Sequence, residues 1–294
     1  GNHRLINNQT HGSILIVFAD INQTFRENRV IHMRHRYNKM IRETFHTNSK
    51  IKQVLFKKKI EMKINYSFLE ARFIDRPNRF LTRAEYNGTI VESHLPDPGR
   101  LKELLKPGVR ILLKRELGEN RKTKFSTQAV YDDDILISLN TLLPNQFTAY
   151  LLMNRKIDFL KEWEICKKEV KCEQHRFDFQ LKRGPESMYL EVKSVTLVEN
   201  KIAKFPDAIT ERGKRHVEHL GEIAEKGLHT MVLFVVQRHD AISFQPQWER
   251  DSKFGFALFE AWQKGLDVRV IHMKMTLNKI HYLGELPSKL KPES

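Results

Sequence analysis

The order of strand-like and helix-like segments places the strongest limit on how this chain can fold. Between residues 68 and 139, short runs rich in branched or alternating apolar residues are separated by turn residues. An Asn87-Gly88 pair between two of the runs is typical of a tight hairpin. The predicted strands are Phe68–Asp75, Arg79–Tyr86, Thr89–His94, Val109–Arg115, Thr123–Tyr131 and Ile135–Leu139. With one helix-like segment at Arg100–Leu105, these runs predict a small OB-like β-barrel, a fold that commonly holds single-stranded nucleic acid.

After Pro144 the pattern becomes a mixture of helices and strands. In one of the helices Val217, Leu220 and Ile223 form an apolar stripe, and Gly227 is a stop signal. The predicted helices are Asn145–Arg155, Asp207–Lys226 and Phe254–Lys264. The predicted strands are Glu164–Val170, Arg176–Leu181, Tyr189–Val195, Thr230–Val236 and Asp267–His272. This half of the chain therefore predicts a mixed α/β domain.

The first 61 residues differ from the rest in charge and in pattern. They hold 12 lysines and arginines against 4 acids, in a chain whose formal net charge is +15. They show no sustained period, and the apolar run Ile14–Ala19 is shorter than the ~7–15 residues of a secretory signal. We expect residues 1–61 to be a basic extension, disordered or not native, with Met62 as the natural start. A DNA-binding arm is the alternative. The division that follows is an OB-like domain at 62–143, an α/β domain at 144–287 and a tail at 288–294.

Charge and cysteine content indicate the class of partner and the compartment. An excess of 15 positive charges indicates a polyanionic binding partner. Nucleic acid is the favoured partner, and an anionic membrane surface is the alternative. No stretch approaches the ~18 continuous apolar residues that span a bilayer. Cys166 and Cys172 lie six residues apart, which fits neither a CxxC redox pair nor a zinc knuckle. We expect free thiols in a reducing cytoplasm.

Two segments around a turn bring together the groups that carry chemistry. An antiparallel hairpin centred on Gly184-Pro185 sets Asp178 opposite Glu191. Because side chains alternate along a strand, Lys193 shares a face with Glu191, and Asp178 joins them there. The other face is expected to receive the apolar residues Phe177, Phe179, Leu190 and Val192.

This arrangement suits the hydrolysis of phosphodiesters. Two carboxylates fit Mg²⁺ or Mn²⁺, which keep several waters and can contact a scissile phosphate. A neighbouring lysine can polarise the attacking water and neutralise the charge that builds on the phosphate. The plainer alternative is a charged hairpin face on which Lys193 bridges two acids, since a lone ExK pattern is more often a surface ion pair.

The sequence that follows the ExK strand adds a basic helix. Arg212, Lys214 and Arg215 lie beside its apolar stripe, together with His216 and His219. A basic helix face can contact backbone phosphates, although such a face is more often simply solvated. We expect Asp207 to be the helix N-cap. The Gln237-Arg238 pair either points into the same cleft or only ends its strand.

Four segments together resemble the sugar fermentation stimulation protein A family. They are HLPDPGRL at 94–101, RFDF at 176–179, EVKSVTL at 191–197, and FPDAITERGKRH at 205–216 with VVQR at 235–238. The resemblance covers about residues 68–287. It implies an OB-like domain followed by a nuclease-like α/β domain of the PD-(D/E)xK type, non-specific DNA binding and a link to sugar, notably maltose, utilisation. The family's nuclease motif falls on Asp178, Glu191 and Lys193.

The resemblance also indicates DNA contacts and one departure. His94, Arg100, Arg212 and Gln237 fall in the other signature segments. The helix at 145–152 reads NQFTAYLL, without the acid that nucleases of this type often add. Catalysis is therefore less well supported than DNA binding.

The leading hypothesis is a cytoplasmic DNA-binding protein with a nuclease site that depends on Mg²⁺ or Mn²⁺, and with neither a small-molecule cofactor nor a membrane partner. Its catalytic residues are Asp178, Glu191 and Lys193, and its expected DNA contacts are His94, Arg100, Arg212, Lys214, Arg215 and Gln237. One alternative is a non-catalytic DNA-binding regulator of sugar metabolism genes that retains the nuclease scaffold. Another is a membrane-surface or scaffold protein.

Overall fold

The structure is a computed structural model that describes residues 60–97, 99–118 and 121–292. The basic extension expected at residues 1–61 lies outside the described residues, apart from Ile60 and Glu61. Within the described ranges, no helix has the length and apolar character needed to cross a membrane.

A short first strand shows where the folded part begins. β1 (Glu61–Lys63) pairs antiparallel with the last strand of the chain, with Met62 opposite Ile280. The Tyr150 hydroxyl donates a hydrogen bond to the backbone oxygen of Glu61 at 2.6 Å. The sequence predicts that Met62 opens the barrel domain, with a dispensable segment before it. Instead, Ile60 and Glu61 are already part of the fold, and β1 belongs to the sheet of the α/β domain.

The strands that follow form a closed barrel, as the sequence predicts. They are β2 (Leu69–Asn78), β3 (Leu81–Tyr86), β4 (Thr89–His94), β5 (Arg110–Arg115), β6 (Phe125–Asp132) and β7 (Ile135–Ser138). Their order is β4-β3-β2-β5-β6-β7, and a parallel pairing of β4 with β6 closes five of them into a ring. Asn87 and Gly88 have φ angles of 51° and 73°, so the predicted hairpin turn is confirmed.

Two local predictions in the barrel are wrong. β2 continues through Pro77 to Asn78, because the strand lies at a point where its pairing with β3 is already irregular. The segment Arg100–Leu105 is a single turn and not a helix. Leu101 has a φ of 50°, outside the helical region, and its backbone oxygen accepts the hydrogen bonds of Leu104 and Leu105 before the chain turns again.

The α/β domain contains three α-helices, a short 3₁₀ helix at Asp158–Leu160 and the remaining strands of the described chain. The helices are α1 (Leu143–Met153), α2 (Glu211–Glu225) and α3 (Ser252–Gln263). The strands are β8 (Glu164–Cys172), β9 (His175–Arg183), β10 (Glu186–Val195), β11 (Leu197–Glu199), β12 (Ile202–Phe205), β13 (His229–Val236), β14 (Ser243–Pro246), β15 (Asp267–Met275) and β16 (Lys279–Glu285). The predicted α/β class is confirmed, whereas β11, β12, β14 and β16 were not predicted.

The main sheet has seven strands and is covered on both faces. Its order is β1-β16-β15-β13-β10-β9-β8, with β10, β13 and β15 parallel at the centre. α2 and α3 connect these parallel strands, as crossovers must. One apolar cluster packs with α1 around Leu190 and Leu233, and the other packs with α2 and α3 around Phe234. β11, β12 and β14 form a separate small sheet.

The two crossover helices approach one another closely at a glycine. A β-carbon at Gly221 of α2 would lie 2.8 Å from Cβ and 2.9 Å from Cα of Ala261 in α3. A larger residue at position 221 would therefore force the helices apart.

Candidate active site

The hairpin of β9 and β10 positions the two carboxylates of the candidate site. Gly184 has a φ of 56° in the two-residue turn, and Leu190 lies opposite Phe179, which is the register expected from the sequence. Regular pairing ends at that pair. Beyond it the backbone N–H of Val192 donates to Oδ2 of Asp178 at 2.7 Å, so a carboxylate takes the place of a strand carbonyl. Asp178 therefore lies against the backbone of the strand that carries Glu191.

The expected apolar face of the hairpin is confirmed for Phe179, Leu190 and Val192, which share one cluster, and is wrong for Phe177. Phe177 packs in the cluster beneath α2, with its ring 6.0 Å from that of His216, whereas Phe179 belongs to the cluster beneath α1. The side chains of Glu191 and Lys193 are only 6% and 13% exposed. These values do not fit a solvated face, because the packing of α2 over the sheet covers the charged residues.

Glu191 is held through one of its two oxygens. Its Oε1 accepts a hydrogen bond from Lys193 Nζ at 2.6 Å and forms another with His216 Nδ1 at 2.7 Å. Its Oε2 is buried and has no hydrogen-bond partner among the described residues. Burial raises the pKa of Glu191, but the charge of Lys193 and the hydrogen bond of His216 outweigh burial, so the pKa lies below its usual value.

Asp178 shows the opposite shift in the same site. Its Oδ1 accepts a hydrogen bond from Asn145 Nδ2 at 2.7 Å. Burial, followed by the charge of Glu191, raises the pKa of Asp178 to about 7, although the Val192 and Asn145 hydrogen bonds act against the rise. Two carboxylates thus repel one another in a poorly solvated place.

Two residues of this site were not assigned to it from the sequence. Asn145 of α1 lies in the segment that lacks the expected acid, and it contacts Asp178 directly. The sequence places His216 on the phosphate-contacting face of α2, but it is buried against Glu191. Helical spacing offered a signal, since His216 precedes Leu220 by four residues and therefore lies on the buried stripe.

The donor set fits a hard divalent cation. Carboxylates are the ligands that Mg²⁺ prefers, and Mg²⁺ needs only one or two of them because it keeps several waters. The buried, unpartnered Oε2 of Glu191 beside a second acid is a free lone-pair donor of this kind. In the described part of the chain, no three or more His, Cys, Asp and Glu side chains converge on one metal position. Two protein carboxylates completed by waters suit Mg²⁺ or Mn²⁺. They do not suit a metal that must take all of its ligands from protein side chains.

A cleft of about 880 Å³ opens between the barrel and the segment that leads into α2. Ser194, the residue after Lys193, lines it, whereas Asp178, Glu191 and Lys193 are not part of its lining. Arg79 and Arg100 line it from the barrel and Arg212 from α2. These three arginines are exposed, and among the described residues no acid forms an ion pair with them. Their guanidinium groups are available to an anionic ligand.

Comparison with known proteins agrees with this architecture. Residues 74–139 match the family model described as the SfsA N-terminal OB domain, and residues 142–279 match that of the sugar fermentation stimulation protein RE domain. The sugar fermentation stimulation protein homolog of Clostridium botulinum (strain Hall) is 43% identical over 208 residues, 70% of this chain and 90% of that protein. The chain belongs to the sugar fermentation stimulation protein family. The homolog of Clostridium kluyveri is 41% identical over 204 residues, 69% of this chain and 88% of the homolog.

A solved structure shows the same fold. The structure of Pyrococcus furiosus SfsA in complex with Ca²⁺ superposes with a TM-score of 0.73, covering 78% of this chain and 98% of that one at 24% identity. The resemblance of this chain to the family, and the expected OB-like barrel followed by an α/β domain, are both confirmed.

The predicted DNA-contact residues that do not line the cleft differ in their exposure and in their partners. Arg215 is exposed on α2, and His94 is exposed at the end of β4, outside the lining of the cleft. Lys214 pairs with Glu218 at 2.7 Å. Gln237 is buried, and its Nε2 donates to Ser194 Oγ at 2.8 Å, so it supports the cleft wall from behind and has no open surface.

The HLPDPGRL and FPDA segments meet in what we call the clasp, formed by Arg76, Asp97, Gly99, Arg100 and Asp207. The Gly99 N–H donates to Asp97 Oδ1 at 2.7 Å, and the Arg100 N–H donates to Asp207 Oδ2 at 3.1 Å. The Arg76 guanidinium donates to the backbone oxygens of Gly99 and Asp97 at 2.6 and 2.9 Å. The clasp thus ties the barrel to the segment before α2.

The expected role of Asp207 as the N-cap of α2 is wrong. The N-cap of α2 is Thr210, whose side chain accepts a hydrogen bond from Gly213 N at 3.0 Å, and the helix begins at Glu211. Asp207 lies too far before that point to cap the helix. Burial, together with the charge of Asp207, raises the pKa of Asp97 to about 6.

Proposed function

We propose that this member of the family binds DNA and cleaves phosphodiester bonds with the help of Mg²⁺ or Mn²⁺. The observation that carries the proposal is the Glu191 carboxylate, which keeps one buried oxygen free beside Asp178. Lys193 already offsets the charge of Glu191 through Oε1, but a buried oxygen without a hydrogen bond is costly unless a ligand or cation binds it.

The protein side chains would have distinct tasks. Asp178 and Glu191 would hold the cation, which when bound supplies a Lewis acid and a water of lowered pKa. Lys193, whose ammonium pairs with Glu191 Oε1, would polarise the attacking water with its remaining N–H donors. His216 and Lys193 fix one oxygen of Glu191 and leave the other free. Asn145 orients Asp178 from α1.

Two further observations support the proposal. The solved Pyrococcus furiosus SfsA is a complex with Ca²⁺, a hard cation that takes oxygen ligands as Mg²⁺ does. The exposed arginines of the cleft, Arg79, Arg100 and Arg212, would contact DNA phosphates next to Ser194. Because such contacts release counterions, we expect affinity to fall steeply as salt rises.

A non-catalytic DNA-binding regulator of sugar metabolism genes is the second candidate. The observation that favours it is Asn145, a neutral amide in the helix from which related nucleases often supply a third acid. Such a protein would retain the DNA cleft and use the carboxylates only as part of the scaffold.

The test uses the full chain with end-labelled single- and double-stranded DNA in Mg²⁺, Mn²⁺ or EDTA. The variant is Glu191→Gln, and the matched control is Glu162→Gln, which changes an exposed acid before β8. We expect cleavage that needs the metal and falls by about 100-fold or more in Glu191→Gln only. Salt-sensitive binding without cleavage in either metal would favour the regulator. Equal cleavage by both variants would refute the assignment of the site.

A further inference from the structure

An aromatic pocket lies at the start of α3, away from the carboxylates. The Phe256 ring meets the Trp248 ring edge-on, with centroids 5.4 Å apart. A β-carbon at Gly255 would lie 2.5 Å from Trp248 Cζ3, so the indole packs directly against the backbone of the helix. Phe256 is nevertheless 49% exposed. One aromatic ring is therefore packed against the helix, and its neighbour is open to solvent.

The size and lining of this pocket suit a single ring system. Its volume is about 310 Å³, at the lower end of the range for small-ligand sites. Lys204 and Gln245 line it together with the two aromatic rings. Aromatic faces stack on nucleobases, and an amide such as that of Gln245 can hydrogen-bond to a base edge.

The pocket and the cleft share one lining residue. Lys204 of β12 lines both of them, so they lie next to one another at this strand. The Lys204 ammonium pairs with Glu199 at 2.6 Å, which offsets its charge. Stacking on the aromatic rings, and not phosphate contact, would therefore dominate binding at this place.

We propose that the pocket formed by Trp248, Phe256 and Gln245 binds an unpaired base of a nucleic-acid strand that extends from the cleft across β12. The proposal rests on the proposed function and narrows it, because it makes single-stranded DNA or a single-stranded end the preferred ligand. A base within a duplex is already stacked and paired, so it is not available to the pocket.

The test measures the affinity of the full chain for a 20-mer of deoxythymidine and for a duplex of equal length, in EDTA to prevent cleavage. The variant is Phe256→Ala, and Trp262→Ala is the matched control, because Trp262 is 41% exposed on the same helix but lies outside the pocket. We expect Phe256→Ala to weaken single-strand binding by about tenfold and to leave duplex binding unchanged. Trp262→Ala should behave like the wild type.

Two further measurements distinguish binding by base stacking from binding by phosphate charge: the salt dependence of the affinity and the affinity for an abasic strand. The loss caused by Phe256→Ala should persist as salt rises, whereas the loss caused by Arg212→Ala should shrink, because only the latter removes a phosphate contact. An abasic strand of equal length should bind the wild type and Phe256→Ala equally. Equal affinity of both proteins for the 20-mer would overturn the proposal, as would wild-type binding of free thymidine monophosphate as tight as that of the 20-mer.

The outcome for this pocket is distinguishable from that for the active site. A Phe256-dependent affinity for single strands without any cleavage would support the pocket and count against the nuclease. Metal-dependent cleavage of duplex DNA without a preference for single strands would support the proposed nuclease activity and refute the proposed base pocket.

Discussion

Replacing Asp97 by asparagine is expected to raise the free energy of unfolding at pH 7 and to flatten its pH dependence between about pH 4 and pH 6. Asp97 lies in the clasp, where its Oδ1 accepts the Gly99 N–H and the charge of Asp207 is near. Burial, with help from Asp207, raises its pKa from 3.8 to about 6. An asparagine side chain at this position would keep the acceptor oxygen and lose only the charge.

The sign and size follow from the two pKa values. Between pH 4 and pH 6 the folded Asp97 keeps a proton that the unfolded chain has lost, so the folded state loses stability as the pH rises. The gap between 3.8 and about 6 corresponds to about 3 kcal/mol at 25 °C. That penalty is complete above pH 6 and is absent below pH 4. The free energy of unfolding of Asp97→Asn should therefore exceed that of the wild type by up to about 3 kcal/mol at pH 7 and by little at pH 4.

Urea unfolding at pH 4, 5, 6 and 7 measures this difference. The matched control is Asp134→Asn, which changes an exposed carboxylate in the turn between β6 and β7. Asp178, whose pKa is raised to about 7, adds a slope of the same sign in every variant, so the comparison is between slopes. Parallel pH profiles for the wild type and Asp97→Asn, or a less stable Asp97→Asn at pH 7, would refute the reasoning.

Three further substitutions test the packing, the capping and the site. Gly221→Ala should lower the free energy of unfolding by about 1–3 kcal/mol in urea titrations, because its methyl group meets Ala261; an unchanged midpoint would contradict the close contact. Thr210→Ala should cost about 1 kcal/mol while Thr210→Ser is nearly neutral, and equal losses would argue against a cap hydrogen bond. Asn145→Ala should weaken Mn²⁺ binding about tenfold, measured by calorimetry, because Asp178 loses an orienting donor; unchanged affinity would remove Asn145 from the site.

Much of the fold follows from local signals in the sequence. Asn87-Gly88 and Gly184-Pro185 each specify a turn, and a turn fixes the register of the strands beside it. This is why the opposition of Leu190 and Phe179, and with it the proximity of the two carboxylates, was predictable. The apolar stripe of α2 was equally visible from its spacing.

The parts that were not predictable depend on contacts between distant segments. β1 pairs with β16 across more than 200 residues, and no local pattern indicates such a pairing. The charged face of the hairpin looked exposed because the sequence does not show that α2 covers it. The clasp likewise joins the barrel to Asp207. Only the folded chain shows that this carboxylate accepts a hydrogen bond from the Arg100 N–H and does not cap a helix.

The most direct test of the account is the binding of a divalent cation by Asp178 and Glu191. Calorimetric titration of the full chain with Mn²⁺ should give about one bound ion per chain for the wild type and for Glu162→Gln. Glu191→Gln and Asp178→Asn should lose that binding while their folding, measured by circular dichroism, is unchanged. Mn²⁺ binding by Glu191→Gln with wild-type affinity, or no binding by the wild type, would contradict the central claim.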